Sequence, residues 1–140
     1  EHFKGSSSPK DVTLIGHPAA QQVAVFEGSF SFLSYLCLAQ IATPDVRMQL
    51  PEGHTSFLIL NSLAFLQKSR PIMENYPSAP LYLDRDAAGL KAMQLACSWS
   101  NKYKDHSGLY KGYKDLNEFL IHYQNPRLKE SQERECIFRL

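Results

Sequence analysis

Four short apolar runs, separated by stretches with helical patterning, limit most strongly how this chain can fold. They are VTLI (Val12–Ile15), VAVF (Val23–Phe26), FLIL (Phe57–Leu60) and LYL (Leu81–Leu83). Such runs, rich in β-branched or large apolar residues and free of polar alternation, suit strands buried on both faces. Between Ser29 and Ala42 apolar residues fill most faces of a helix, which predicts a largely buried one, closed by Pro44. Ser62–Tyr76 reads as a helix interrupted or restarted at Pro71. Asp86–Lys104 reads as a long helix carrying Leu90, Met93, Leu95, Ala96 and Trp99. A polar stretch, Asp105–Gly112, leads into a last helix, Asp115–Tyr123, ended by Asn125-Pro126. Alternation of this kind specifies an α/β fold: a Rossmann-type, mainly parallel sheet of about four strands, flanked by helices.

With 140 residues, 44% hydrophobic and 21% charged, the chain suits one globular core. The expected division is a polar linker over 1–11, the domain over 12–125, and a charged tail over 126–140 that ends the domain or leads into a neighbour. A start at Glu1 without Met suggests a domain cut from something longer. The longest apolar run, Phe30–Ala42, is 13 residues and interrupted by Ser31, Ser34 and Gln40. A bilayer span needs roughly 20, so no membrane partner is expected. Cys37, Cys97 and Cys136 form neither a CxxC pair nor a disulfide framework, which favours a reducing, cytoplasmic setting. Cys37 and Cys97 are expected to pack on apolar helix faces. The five histidines are scattered without zinc spacing and read as surface or incidental.

In a parallel sheet, function collects at the carboxyl ends of the strands. VAVF runs directly into Glu27-Gly28, and LYL into Asp84-Arg85-Asp86-Ala87-Ala88-Gly89. Gly28 would allow a sharp turn with no Cβ in the way. Carboxylates crowded at adjacent strand ends repel one another and are kept ionised by a divalent cation, and Mg²⁺ takes oxygen ligands of this kind. Each acid also has an ordinary explanation. Asp86 is placed to cap the following helix, and Glu27 to be a solvated turn residue.

The formal net charge is only +1, yet between residues 85 and 114 six basic side chains stand against two acidic ones. There, Lys102-Tyr103-Lys104 and Tyr110-Lys111-Gly112-Tyr113-Lys114 interleave lysines with tyrosines, a composition that holds a phosphate backbone and stacks bases. The alternative is a solvated basic loop whose tyrosines pack inward. Lys4 and Lys10 in the leading loop are further phosphate candidates, or ordinary surface lysines.

VFEGSFSFLSYL, then LYLDRDAAG some 50 residues later, then KDLNEFL, together resemble the Toprim domain of primases, topoisomerases and some nucleases. The closest likeness is to the Toprim module of bacterial primase-like proteins, often carried with a CHC2-type zinc finger in mobile elements. It covers about residues 10–123. Residue by residue, Glu27-Gly28 matches the family's acidic-glycine motif and Asp84 and Asp86 its DxD pair, with Gly89 at the following glycine. Asp115, in Lys114-Asp115-Leu116-Asn117, matches a later acidic position. The resemblance implies Mg²⁺ or Mn²⁺ held by Glu27, Asp84, Asp86 and, second in rank, Asp115. It also implies catalysis by the first three, with Lys102, Lys104, Lys111 and Lys114 contacting nucleic acid. The implied activity is primase-type nucleotidyl transfer on a single-stranded DNA template with nucleotides, in replication or mobile-element transfer. An upstream zinc finger and other replication proteins would be its partners. A non-catalytic nucleic-acid-binding module, a Toprim nuclease and a receiver-like phospho-acceptor remain alternatives. A topoisomerase is disfavoured because this chain has no segment for the strand-passage tyrosine.

Overall fold

The computed structural model describes residues 11–125. The Lys4 and Lys10 segment and the tail with Cys136 lie outside them. Five strands form one sheet in the order β1-β3-β2-β4-β5. β2 (Gln22–Phe26), β3 (Thr55–Ile59), β4 (Ala79–Tyr82) and β5 (Tyr103–Asp105) run parallel, and β1 (Thr13–Ile15) lies antiparallel on the β3 edge. The mainly parallel α/β fold is as expected, with one strand more. β5 begins inside the stretch read as a single long helix. That helix, α4 (Ala87–Trp99), stops at Ser100, and the chain turns back through Lys102 to pair Tyr103 with Ala79. β1 also departs from expectation, because Thr13, Leu14 and Ile15 are exposed on the sheet edge.

From Val23 to Phe26 and from Ala79 to Tyr82, β2 and β4 are buried at every residue because both of their faces are covered. Val23, Val25, Leu58, Leu60, Leu81 and Leu83 point into one core, with Met93 and Ala96 of α4 and Met73 of the short helix α3 (Arg70–Met73). Ala24, Phe26, Ile59 and Tyr82 point into the other, against Phe32, Tyr35 and Leu38 of α1 (Ser29–Ile41) and Leu116 and Leu120 of α5 (Leu116–Gln124). Phe26 stacks on Tyr82 at 5.2 Å between ring centroids and meets Tyr35 edge-on at 5.3 Å. Burial pushes the Tyr35 hydroxyl up to about 12. On α1, Ser34 Oγ lies 3.0 Å from the Asn117 side-chain amide, tying α1 to α5.

Several local expectations change. α1 is not largely buried: Phe30 is 74% exposed and Leu33 52%, because the sheet and α5 together cover only its inner face. Pro44 does not close α1, which ends at Ile41; it opens the single turn α2 (Pro44–Arg47), where its missing N–H costs nothing. The restart expected at Pro71 is present, with Pro71 in the first turn of α3. Cys37 and Cys97 are exposed, not packed. His106 is half-buried rather than incidental, with Nδ1 3.1 Å from the Tyr82 hydroxyl. The burial holds its imidazole below the usual histidine range.

The division of α1 into two faces gives a direct test. Leu38→Ala, at a fully buried position, should cost about 2–5 kcal/mol in urea unfolding. Phe30→Ser on the same helix should change stability by about 0.5 kcal/mol or less.

Candidate functional site

From β2 the chain crosses to β3 on one side, and the next parallel strand, β4, lies on β2's other side. The strand order therefore reverses between β2 and β4, and the two chains leave the sheet on opposite faces, as α1 and α4. Such a reversal opens a crevice at the carboxyl ends of the two strands. Glu27 follows β2 and Asp84 follows β4, one on each side of it. A cleft of about 380 Å³ lies there, lined by residues that include Glu27, Gly28, Ser31, Asn61, Asp84 and Asp115.

Glu27 Oε2 accepts the backbone N–H of Asp84 at 3.0 Å, bridging the two strand ends past their last ladder pair, Phe26 with Tyr82. Asp86 is the N-cap of α4, its Oδ1 accepting the Gly89 N–H at 2.8 Å. Asp115 caps α5 in the same way, accepting from Glu118 N–H at 2.8 Å. The capping role foreseen for Asp86 is therefore present, without removing that residue from the acidic group. The Asp84 carboxylate accepts no hydrogen bond among the described residues. Burial, then the charges of Glu27, Asp115 and Asp86, push it from the ordinary 3.8 up to about 6, with Lys114 partly offsetting them. Glu27 is raised too, first by burial and then by Asp86 and Asp115, against the lowering effect of the Asp84 N–H and Lys114. Four carboxylates from three separate elements thus share one field.

The two glycines differ. A methyl group at Gly89 would collide with the Asp84 carbonyl oxygen and lie 2.8 Å from its carbon, so α4 can sit against the β4 end only with glycine there. Gly28 is extended, with φ −140°, and a Cβ on it would meet nothing within 4 Å, so the turn does not require glycine. Around the site, Tyr110 OH donates to the Leu83 carbonyl, Arg85 N–H to the Lys114 carbonyl at 2.6 Å, and Arg85 Nη1 to Ser107 Oγ at 3.0 Å.

The expected basic group divides. Lys114 lies within electrostatic reach of Glu27 and Asp84, and Lys111 is exposed on the same loop. Lys104 is exposed on β5. Lys102 stands at the opposite, amino end of the sheet, where Nζ pairs with Glu74 Oε2 at 2.9 Å and donates to the Tyr76 carbonyl at 2.9 Å. Tyr103 and Tyr110 are buried and stack no bases, so of the two readings the inward-packed one holds for them. Sequence reasoning also missed the cleft wall formed by Asn61 and Ser62. Asn61 ends the β3 segment with φ 64°, a left-handed backbone that asparagine tolerates. The strand-end rule, applied to the third apolar run, would have found it.

The donor set is all carboxylate oxygen, which suits a hard divalent cation. Among the described residues, no three His, Cys, Asp or Glu side chains are gathered as a group able to hold a metal ion alone. Glu27, Asp86 and Asp115 each have one oxygen committed to a backbone N–H and a second left over. That arrangement fits Mg²⁺ or Mn²⁺ held by one or two carboxylates, with water and a ligand phosphate completing the shell.

Two outcomes follow. Because Asp84 is raised in the folded state, the native protein binds more protons than the unfolded chain between about pH 4 and 6. Stability of the metal-free protein should therefore fall as pH rises through that window, and Asp84→Asn should flatten the fall in chemical unfolding. Gly89→Ala should cost about 1–3 kcal/mol from the forced displacement, a loss that a methyl at Gly28 should not reproduce.

Comparison with known proteins agrees with this fold. No curated protein matches the chain in sequence. The crystal structure of the primase fragment of the bacteriophage T7 primase-helicase protein is similar, with a TM-score of 0.54 at 19% identity. The likeness covers 79% of this chain and 43% of that fragment, so the chain spans under half the length of the structure it matches. The family profile described as Toprim-like matches residues 24–120, from the middle of β2 to α5, and enclosing all four acids. The chain belongs to the Toprim-like family.

Proposed function

We propose that this chain is a primase-type nucleotidyl-transfer module that works with Mg²⁺ or Mn²⁺ on a single-stranded DNA template and nucleotides, in replication or mobile-element transfer. The observation that carries the reading is the Asp84 carboxyl. It has no hydrogen-bond partner among the described residues and is pushed up to about 6 by burial and three neighbouring carboxylates, in an open cleft at the strand-order reversal. A group under that stress is stabilised in its charged form by a cation beside it. The T7 primase-helicase fragment supports the reading by fold.

When bound, the metal would polarise phosphate oxygens and template an in-line displacement. One or two of Asp84, Asp86 and Glu27 would hold it, with ligand phosphate and water completing the shell and Asp115 at the same mouth. Glu27 keeps its position through the Asp84 N–H, and its raised affinity for a proton suits it to take one from an attacking hydroxyl. Lys111 and Lys114 would receive the phosphate backbone, with Lys104 further out on β5. Lys102, tied to Glu74, has no part in this. An upstream zinc-binding domain and other replication proteins would complete the machinery, and the cytoplasm is the compartment that suits this work. Among the described residues, no helix is long and apolar enough to cross a membrane.

A second reading has its own observation. Asp86 and Asp115 are both helix caps, and a structural duty for the acids suits a nucleic-acid-binding module without turnover. Primer synthesis by the whole protein separates the two. Asp84→Asn or Asp86→Asn should reduce it on the order of 100-fold or more, given the several kcal/mol of charge stabilisation a metal supplies, with circular dichroism unchanged. Undiminished synthesis in both variants would sink the catalytic reading. Single-stranded DNA binding that survives EDTA and disappears in Lys111→Ala/Lys114→Ala, without any synthesis by the wild type, would establish the binding module. Plasmid nicking with Mn²⁺ would move the chemistry to a nuclease.

A further inference from the structure

The amino end of α1 opens into the same cleft as the acids, and it differs from the starts of α4 and α5. Gly28, its N-cap, offers no side-chain acceptor, and the first turn holds no acid. The N–H groups of Ser29, Phe30 and Ser31 have no acceptor among the described residues; the first bond of the helix is Phe32 N–H to the Gly28 carbonyl at 3.3 Å. An uncapped helix start carries a partial positive charge with its donors unspent. Ser31 supplies a separate observation. The residue is only 6% exposed, yet it lines the cleft, and its hydroxyl has no hydrogen-bond partner among the described residues. Among the described residues the sealed polar atoms without partners are Ser69 Oγ and Tyr103 OH, so the Ser31 hydroxyl keeps accessible surface, and the cleft is what the residue lines. A hydroxyl with no protein partner and surface left in a cleft is free to donate to a ligand oxygen there. Ser34, one turn on, shows the ordinary solution: its Oγ donates to the Phe30 carbonyl at 2.7 Å and lies 3.0 Å from the Asn117 side-chain amide.

We propose that the Ser29–Ser31 amides and the Ser31 hydroxyl form an anion subsite that takes a phosphate group of the ligand beside the carboxylate cluster. The inference rests on the phosphate chemistry proposed above and adds to it the place where a phosphate is received. Backbone donors at a helix start suit phosphate oxygens, and the hydroxyl adds a directional fourth donor. The subsite lies next to Glu27 in sequence, so a phosphate on it is within the cleft that the metal-holding acids face. The phosphate belongs either to a nucleoside triphosphate or to the phosphodiester of a strand; both present the same oxygens.

The test is an amide NMR titration of the full chain, in EDTA and again in Mg²⁺. The probes are inorganic tripolyphosphate, thymidine triphosphate and an oligothymidine with hydroxyl ends. The expected result is saturable shifts of the Ser29, Phe30 and Ser31 amides in at least one condition. Ser31→Ala should weaken binding about tenfold, the effect of a hydrogen bond to a charged group. Ser29→Glu, which places a fixed carboxylate on the same donors from an exposed position, should remove the shifts. Response to tripolyphosphate alone assigns the subsite to a nucleotide tail, and response to the oligomer assigns it to the strand. Unmoved Ser29–Ser31 amides in both conditions, or shifts indifferent to both substitutions, would overturn the proposal. Mn²⁺ broadening at Glu27, Asp84 and Asp86, recorded without phosphate, tests the metal reading separately. Broadening without amide shifts removes the subsite and leaves the metal, and shifts without broadening do the reverse.

Discussion

β2 and β4 run side by side only as far as Phe26 and Tyr82, after which their chains depart to opposite faces of the sheet. Where they separate, ladder hydrogen bonds end and a backbone donor would be left open. The Glu27 carboxylate closes that gap by accepting the Asp84 N–H. One side chain therefore does for the strand ends what backbone carbonyls do inside the sheet, and it brings a negative charge with it. Gly89 adds the second half of the arrangement, allowing α4 to rest on the Asp84 carbonyl with no Cβ between them. The acids are fixed by backbone contacts made on both sides of the crevice, and their mutual repulsion is the cost of that fixing.

The polarity of the sheet then sorts the chain into two ends of different chemistry. At the amino end, Lys102 and Arg70 share the Glu74 carboxylate, with Arg70 Nε 3.2 Å from it and its guanidinium 4.8 Å from the Trp99 ring. At the carboxyl end, Lys114 acts on both Glu27 and Asp84, against four carboxylates. Paired charges make one end structurally settled, while the excess of carboxylate at the other leaves it wanting a ligand. The two aromatic and aliphatic cores on either side of the sheet hold this contrast in place.

Most of the frame was legible because buried parallel strands advertise themselves as unbroken apolar runs. VAVF and LYL appear within a residue or two of β2 and β4, and the strand-end rule led directly to Glu27, Asp84 and Asp86. β5 was hidden for a physical reason: Tyr-Lys-Asp is a three-residue edge strand with one buried side chain, and it carries no apolar signature. The exposed face of α1 was hidden because a helix that is apolar nearly all round has no periodicity to reveal which side the sheet covers. Lys102 and Lys114 are indistinguishable by composition, since only the direction of β5 places one at each end of the sheet. Tyr110, read as a base-stacking candidate, is instead a buried clamp on the Leu83 carbonyl.

The sheet's borders have a consequence for the molecule as a solute. Both outermost strands, β1 and β5, are three residues long, and β5 exposes Lys104 in its middle. A neighbouring molecule seeking to extend the sheet would find few free backbone groups on either border, and a charge to desolvate on one of them. Short borders, one of them charged, are among the ways sheet proteins discourage intermolecular strand pairing. The long apolar strands β2, β3 and β4, which would form the most adhesive surface if laid open, are kept to the interior of the sheet. The brevity of β1 and β5 thus acts as a guard against aggregation in a chain whose central strands would otherwise invite it.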